Sequence, residues 1–167
     1  MHQAAISAMA LALLFVASPL RKAQGESPLV MRVERIIKSK EPGWRYIRGI
    51  QSGRVPRVPG EKVLVTSVWE PMRKNGRRES VMLNMYEVPS ASEAASWLKS
   101  ISVGGVVSGW TVEKYQIGDE AYLSTYQDGR RFSLYVRKNN IVAEVSGRSL
   151  GSVKRFAQHA VSGVTAS

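Results

Sequence analysis

WTVEKYQIGDEAYLSTYQDGRRFSLYVRKNNIVAEVSGRSLGSVKRFAQHAVSGV, residues 110–164, is the stretch whose reading decides the fold. Four short β-prone runs alternate in it with turn pairs. Trp110–Tyr115, Glu120–Tyr126, Arg131–Arg137 and Ile141–Ser146 are separated by Ile117-Gly118-Asp119, Asp128-Gly129 and Asn139-Asn140. Glycine beside Asp, and paired Asn, supply the left-handed backbone that tight hairpins require. Within Arg131–Arg137, Phe132, Leu134 and Val136 alternate with Ser133, Tyr135 and Arg137, the period-two pattern of an antiparallel strand with one buried face. The period then changes to 3.6. Leu150, Val153, Ala157, Ala160, Val161 and Val164 form one stripe of a helix that Ser149 or Ser152 can cap.

Upstream, the pattern of strand followed by helix occurs a second time. Val63–Glu70 is β-branched, PMRKNGRR (71–78) holds the hairpin pair Asn75-Gly76, and Ser80–Val88 is the return strand. Ser90-Ala91-Ser92-Glu93 is a capping box opening a helix with Ala91, Ala94, Ala95, Leu98 and Ile101 on one face and Trp97 flanking it. Gly104-Gly105 is read as its stop. Residues 51–60 contain Gly53, Pro56, Pro59 and Gly60, and read as a loop. Leu29–Ile37 fits both a helical and a strand period, and is assigned here to a strand. The expected architecture is α+β: an antiparallel sheet of five to seven strands, with the two strand–helix units packing both helices on one face. It occupies residues 26–167 as a single domain.

Residues 1–25 read as a signal peptide. Ala4–Ala17 is apolar and uncharged, too short to span a bilayer, and Ala23-Gln24-Gly25 places small residues for cleavage after Gly25. The segment before Ala4 has no Lys or Arg, and Arg21-Lys22 precede the cut, so an uncleaved membrane anchor is the competing reading. The expected location is periplasmic or secreted. The chain has no cysteine, which excludes disulfides, thiolate metal sites, cysteine nucleophiles and a lipid-modified cysteine at the cut. An exported protein without cysteine fits a bacterial envelope better than a eukaryotic secretory route. In strand pattern and turn placement, residues 117–147 resemble small exported bacterial α+β proteins; the resemblance carries no functional motif and no family assignment.

Apolar content of 44% and charged content of 22% are ordinary for a globular domain, whereas a formal net charge of +11 is not. Such a balance favours polyanions: acidic glycan, anionic lipid or nucleic acid. Export argues against the last. The basic residues gather at turns, Arg73, Lys74, Arg77 and Arg78 around the first hairpin and Arg130-Arg131 and Arg137-Lys138 around later ones. Whether the first two clusters share an end of the sheet depends on how the hairpins lie. A second candidate surface is the polar side of the closing meander, where Tyr122 and Tyr126 neighbour Arg131, Tyr135 and Arg137. Tyrosine interleaved with arginine can stack on planar groups and pair with acids. Solvated loop charge and cross-strand Tyr–Arg packing account for the same residues without a ligand.

No catalytic signature is present. His159 lies about 200° around its helix from Ala157 and is expected to face solvent. Asp119-Glu120 is read as turn chemistry after Gly118. No cofactor or metal is implied. The expected function is that of an exported non-enzymatic domain binding an anionic partner or another envelope protein through basic loops and the Tyr/Arg face. The alternatives are an apolar interaction surface for an envelope protein, and an enzyme with a dispersed site.

Overall fold

A computed structural model describes residues 27–49, 59–72, 79–107 and 109–165. The expected signal peptide, the expected turn at Asn75-Gly76 and most of residues 51–60, expected to form a loop, lie outside these residues. The first element is a helix where a strand is expected. Helix α1 runs Pro28–Lys40, with proline in its first turn, where the missing amide costs nothing. Val30, Val33 and Ile37 bury one face of it. Local propensity in this run is divided, and packing against the last helix settles the period.

Strands β1 (Trp44–Gly49), β2 (Lys62–Pro71) and β3 (Val81–Glu87) follow, then helix α2 (Ala91–Val107). Strands β4 (Trp110–Lys114), β5 (Glu120–Tyr126), β6 (Phe132–Lys138) and β7 (Ile141–Gly147) and helix α3 (Leu150–Thr165) complete the order. Seven strands form one antiparallel sheet in the order β1-β2-β3-β7-β6-β5-β4. The meander of residues 110–147 forms as its turn residues dictate, with Gly118, Gly129 and Asn139 all at positive φ. At Gly118 a Cβ would lie 2.5 Å from the Arg137 carbonyl oxygen, so the turn excludes other residues on contact as well as on backbone grounds.

The two faces of the sheet have separate cores. On one, Val33 and Ile37 of α1 and Val153, Phe156, Ala157 and Ala160 of α3 pack with Trp69, Leu83, Leu134, Val136 and Val145. Phe156 is fully buried and meets Trp44 and Trp69 edge-on, with ring centroids 5.1 and 5.9 Å away. Edge-to-face rings of this kind add about 1 kcal/mol each beyond their burial. On the other face, Ala94, Trp97 and Leu98 of α2 pack with Tyr86, Tyr122 and Val142.

The expectation of both helices on one face is therefore corrected: α2 and α3 lie on opposite faces. The topology supplies the reason. From β3 the chain passes β7, β6 and β5 to reach β4 at the far edge, and β3 and β4 run parallel. A parallel β–α–β crossover has one strongly favoured hand, so its helix cannot choose a face freely. Helix α3 follows β7 with no such constraint. The Gly104-Gly105 stop is also corrected. Helix α2 continues through both glycines to Val107, and the chain turns at Gly109, φ +75°. Helical length is needed there because α2 must cross several strands.

Helices α1 and α3 approach closely at Gly163, where an added Cβ would collide with the Val33 side chain and come within 3.1 Å of its Cα. Val33 is β-branched and buried, so it has little room to yield. Gly163→Ala would gain about 1 kcal/mol of helix propensity, but overpacking costs about 1–3 kcal/mol. A net loss of stability is expected in urea denaturation, with partial recovery in the Gly163→Ala/Val33→Ala double variant.

Candidate functional site

The strand order brings the basic connections together. β2 ends where β3 begins (Trp69 opposite Val81), β7 ends beside both β3 and β6 (Gly147 opposite Val81 and Phe132), and β5 ends beside the start of β4 (Tyr126 opposite Trp110). The β2–β3 connection, the β5–β6 turn and the β7–α3 junction thus share one end of the sheet. Arg73, Lys74, Arg77 and Arg78 lie outside the described residues, but Met72 and Glu79 on either side of them are at this end. By sequence, residues 72–80, 127–131 and 148 carry seven basic residues against Glu79 and Asp128. Arg130, Arg131 and Arg148 are exposed.

Within this end, Tyr126, Arg131 and Trp110 form a cluster. The Arg131 guanidinium carbon sits 3.6 Å from the centre of the Tyr126 ring. Trp110 packs on the same tyrosine edge-on, with centroids 5.1 Å apart and planes at 65°. Asp128 organises the turn, accepting the Arg130 backbone amide at 2.9 Å and pairing with Arg131 Nε at 3.6 Å. Arg130 and Arg148 have no ion pair with a carboxylate among the described residues. Helix α3 begins at the same end, and there the Glu79 carboxylate accepts the Ser152 hydroxyl of its first turn at 2.7 Å, which offsets the positive end of the amide dipole.

The Tyr/Arg face read from the sequence divides. Tyr126 and Arg131 stay at the accessible end. Tyr122 is 8% exposed, belongs to the core under α2, and donates its hydroxyl to Glu120 Oε1 at 3.0 Å. Tyr135, opposite Tyr122 in the sheet, packs against the same core. Ser124 and Ser133 are buried too. Strand alternation marks these positions as the polar face correctly. A helix from elsewhere in the chain then covers that face.

Arg137 points along the sheet to the opposite end and is consumed in a local network. Its side chain is 16% exposed and lies 3.4 Å from Asp119 and 3.7 Å from Glu120. Asp119 also accepts Lys138 Nζ and the Asn139 amide, each at 2.7 Å. This carboxylate clamps the β6–β7 turn to the β4–β5 turn. The Lys138 hydrogen bond first, and the Asn139 amide second, hold the Asp119 carboxyl below its ordinary pKa. Lys62 and Glu87 also pair at 3.8 Å at this end, to which the β1–β2 connection adds Arg54, Arg57 and Glu61 by sequence.

His159 does not face open solvent as expected. Its side chain is 16% exposed, with Nε2 3.2 Å from Glu41 Oε1. Arg155 Nε reaches the same oxygen at 2.9 Å. Glu41, at the C-terminal cap of α1, is buried and ties α1 to α3. The helical angle to Ala157 is right; what it cannot reveal is that the α1–β1 junction folds against that side of α3. Trp110 and Arg148 are the members of the basic end that sequence reasoning missed, because neither stands in a charge cluster or an alternating pair.

Among the described residues, no three His, Asp or Glu side chains gather at metal-binding spacing. No helix among them is long and apolar enough to cross a membrane. Comparison with known proteins finds no relative: no family model, curated protein or solved structure matches the chain.

Tyr122→Ala is expected to cost about 3 kcal/mol as a core truncation, whereas Arg131→Ala should cost under about 1 kcal/mol; equilibrium urea unfolding separates the two. For Asp119, a depressed folded-state pKa means stability that is present above the unfolded pKa and lost as pH falls through the folded one. Asp119→Asn should therefore be less stable than the parent by about 1 kcal/mol at pH 7. The gap should close under acid conditions below the folded pKa, as read by urea midpoints at several pH values.

Proposed function

We propose that this protein is an exported, non-enzymatic domain that binds a polyanionic partner through the basic end of its sheet. The observation that carries the reading is topological. Connections far apart in sequence bring Arg130, Arg131 and Arg148 to the same end as the mouth of the Arg/Lys-rich β2–β3 connection. Clustered like charge on a rigid frame costs self-repulsion in the free protein, a cost that an anionic partner relieves. At the other end Arg137, Lys138 and Lys62 are held in ion pairs with carboxylates, so less of their charge is open to a partner. Such a partner carries closely spaced phosphate or carboxylate groups. Guanidinium suits both, because its fork of donors matches two oxygens at once.

The reading is tested by binding of the full chain to heparin and to inorganic polyphosphate at low and high salt. Binding at low salt that weakens steeply with added salt is expected. Arg130→Glu/Arg131→Glu/Arg148→Glu should weaken it by about tenfold or more, while Lys62→Glu at the opposite end should change it less than about twofold. No binding at low salt to these polyanions or to anionic vesicles sinks the reading.

A further inference from the structure

Charge is not the whole of the basic end. Met72, where β2 leaves the sheet, is 61% exposed, the largest value among the exposed large hydrophobic side chains of the described residues. At the far edge of the same end stands Trp110, partly exposed, beside Tyr126. Met72 follows the second strand of the sheet and Trp110 opens the seventh. Five strand spacings separate them, about 24 Å along the sheet at ~4.8 Å each. Arg148 and Arg130-Arg131 lie between them in strand order. Apolar and amphipathic tips therefore bracket the cationic ones.

Resting on the reading above, we infer that the polyanion is the surface of an anionic phospholipid bilayer. On it, Met72 and Trp110 enter the headgroup region while Arg130, Arg131 and Arg148 meet the phosphates. Two features favour this over an acidic polysaccharide. Sugar recognition by stacking needs an open aromatic face, and the Tyr126 ring is already capped by the Arg131 guanidinium and abutted by Trp110. An exposed thioether amid arginines adds nothing to the binding of a soluble charged polymer. At a lipid interface the same set is complementary: indole and phenol sit at headgroup depth, short apolar tips reach the acyl boundary, and cations face phosphate.

The test uses the full chain with vesicles of phosphatidylcholine alone or mixed with phosphatidylglycerol, alongside heparin. Sedimentation with the mixed vesicles and not the neutral ones is expected, with a residue of binding that survives salt sufficient to release heparin. Met72→Ser, whose exposed side chain can be replaced without disturbing the core, should lower vesicle affinity about threefold or more and leave heparin affinity within about twofold. Brominated lipid should quench part of the tryptophan emission, and Trp110→Phe should remove that quenching. Heparin binding without vesicle binding overturns the inference and leaves the preceding reading standing; binding to neither overturns both. Vesicle binding unaffected by Met72→Ser, with no quenching from Trp110, also overturns it.

Discussion

The pairing of β3 with β7 at the centre of the sheet is the constraint on which the rest depends. Val81 to Glu87 runs antiparallel to Ile141 to Gly147 in unbroken register. It joins the β1–β2–β3 unit to the β4–β7 meander, each of which alone would leave a hydrophobic edge strand open. Its partners are distant in sequence: Asn84 donates to Glu144 across 60 residues, and Asn140 accepts the Val88 amide at its backbone carbonyl and donates its side-chain amide to the Val88 carbonyl. Closing so long a loop is entropically costly before contacts form. Burial of Val81, Leu83, Met85, Ala143 and Val145 on one face offsets that cost. Gly147 marks how close the approach is, since a Cβ there would lie 2.9 Å from the Ser80 carbonyl oxygen.

From this pairing follow both the covering of the sheet and the placement of charge. Once β7 sits beside β3, α2 has to cross the sheet to deliver β4 to the far edge. Tyr122 and Tyr135 are thereby drawn beneath a helix, and Tyr86 meets Trp97 with ring centroids 5.2 Å apart. The same order fixes which connections share an end. The β2–β3, β5–β6 and β7–α3 connections meet on one side, and the β6–β7 and β4–β5 turns on the other. One end gathers arginines with few carboxylates, while at the other Asp119 and Glu120 bind Arg137 and Lys138. The contrast is a property of the wiring. The clusters are separated by stretches of ordinary strand and helix, so no window of sequence contains it.

The two ends also differ in what their ionic groups do. Asp119 works inside the fold, receiving an amide and a lysine that would otherwise leave two adjacent turns untethered. Glu41 has the same kind of role between helices, held by Arg155 and His159. Arg130 and Arg148 close no turn and bridge no elements. That distinction is what marks the basic end as the candidate surface.

By itself the sequence determined the local pieces. The meander turns, the alternation in β6, the Ser90 and Ser149 caps and the stripe of α3 are all legible, because each depends on backbone conformation or periodicity within a few residues. Tyr126 and Arg131 were legible as site candidates for the same reason: they are near neighbours around one turn. Tertiary structure decided everything that depends on which surfaces meet. Leu29–Ile37 became helical because Val33 and Ile37 found α3; α2 ran through Gly104-Gly105 because a crossover required the length. Tyr122, Tyr135 and Arg137 left the candidate surface because strand alternation reports a side of the sheet without reporting what covers it. Trp110 and Arg148 joined it because strand order, which no local pattern encodes, set them beside the β5–β6 turn.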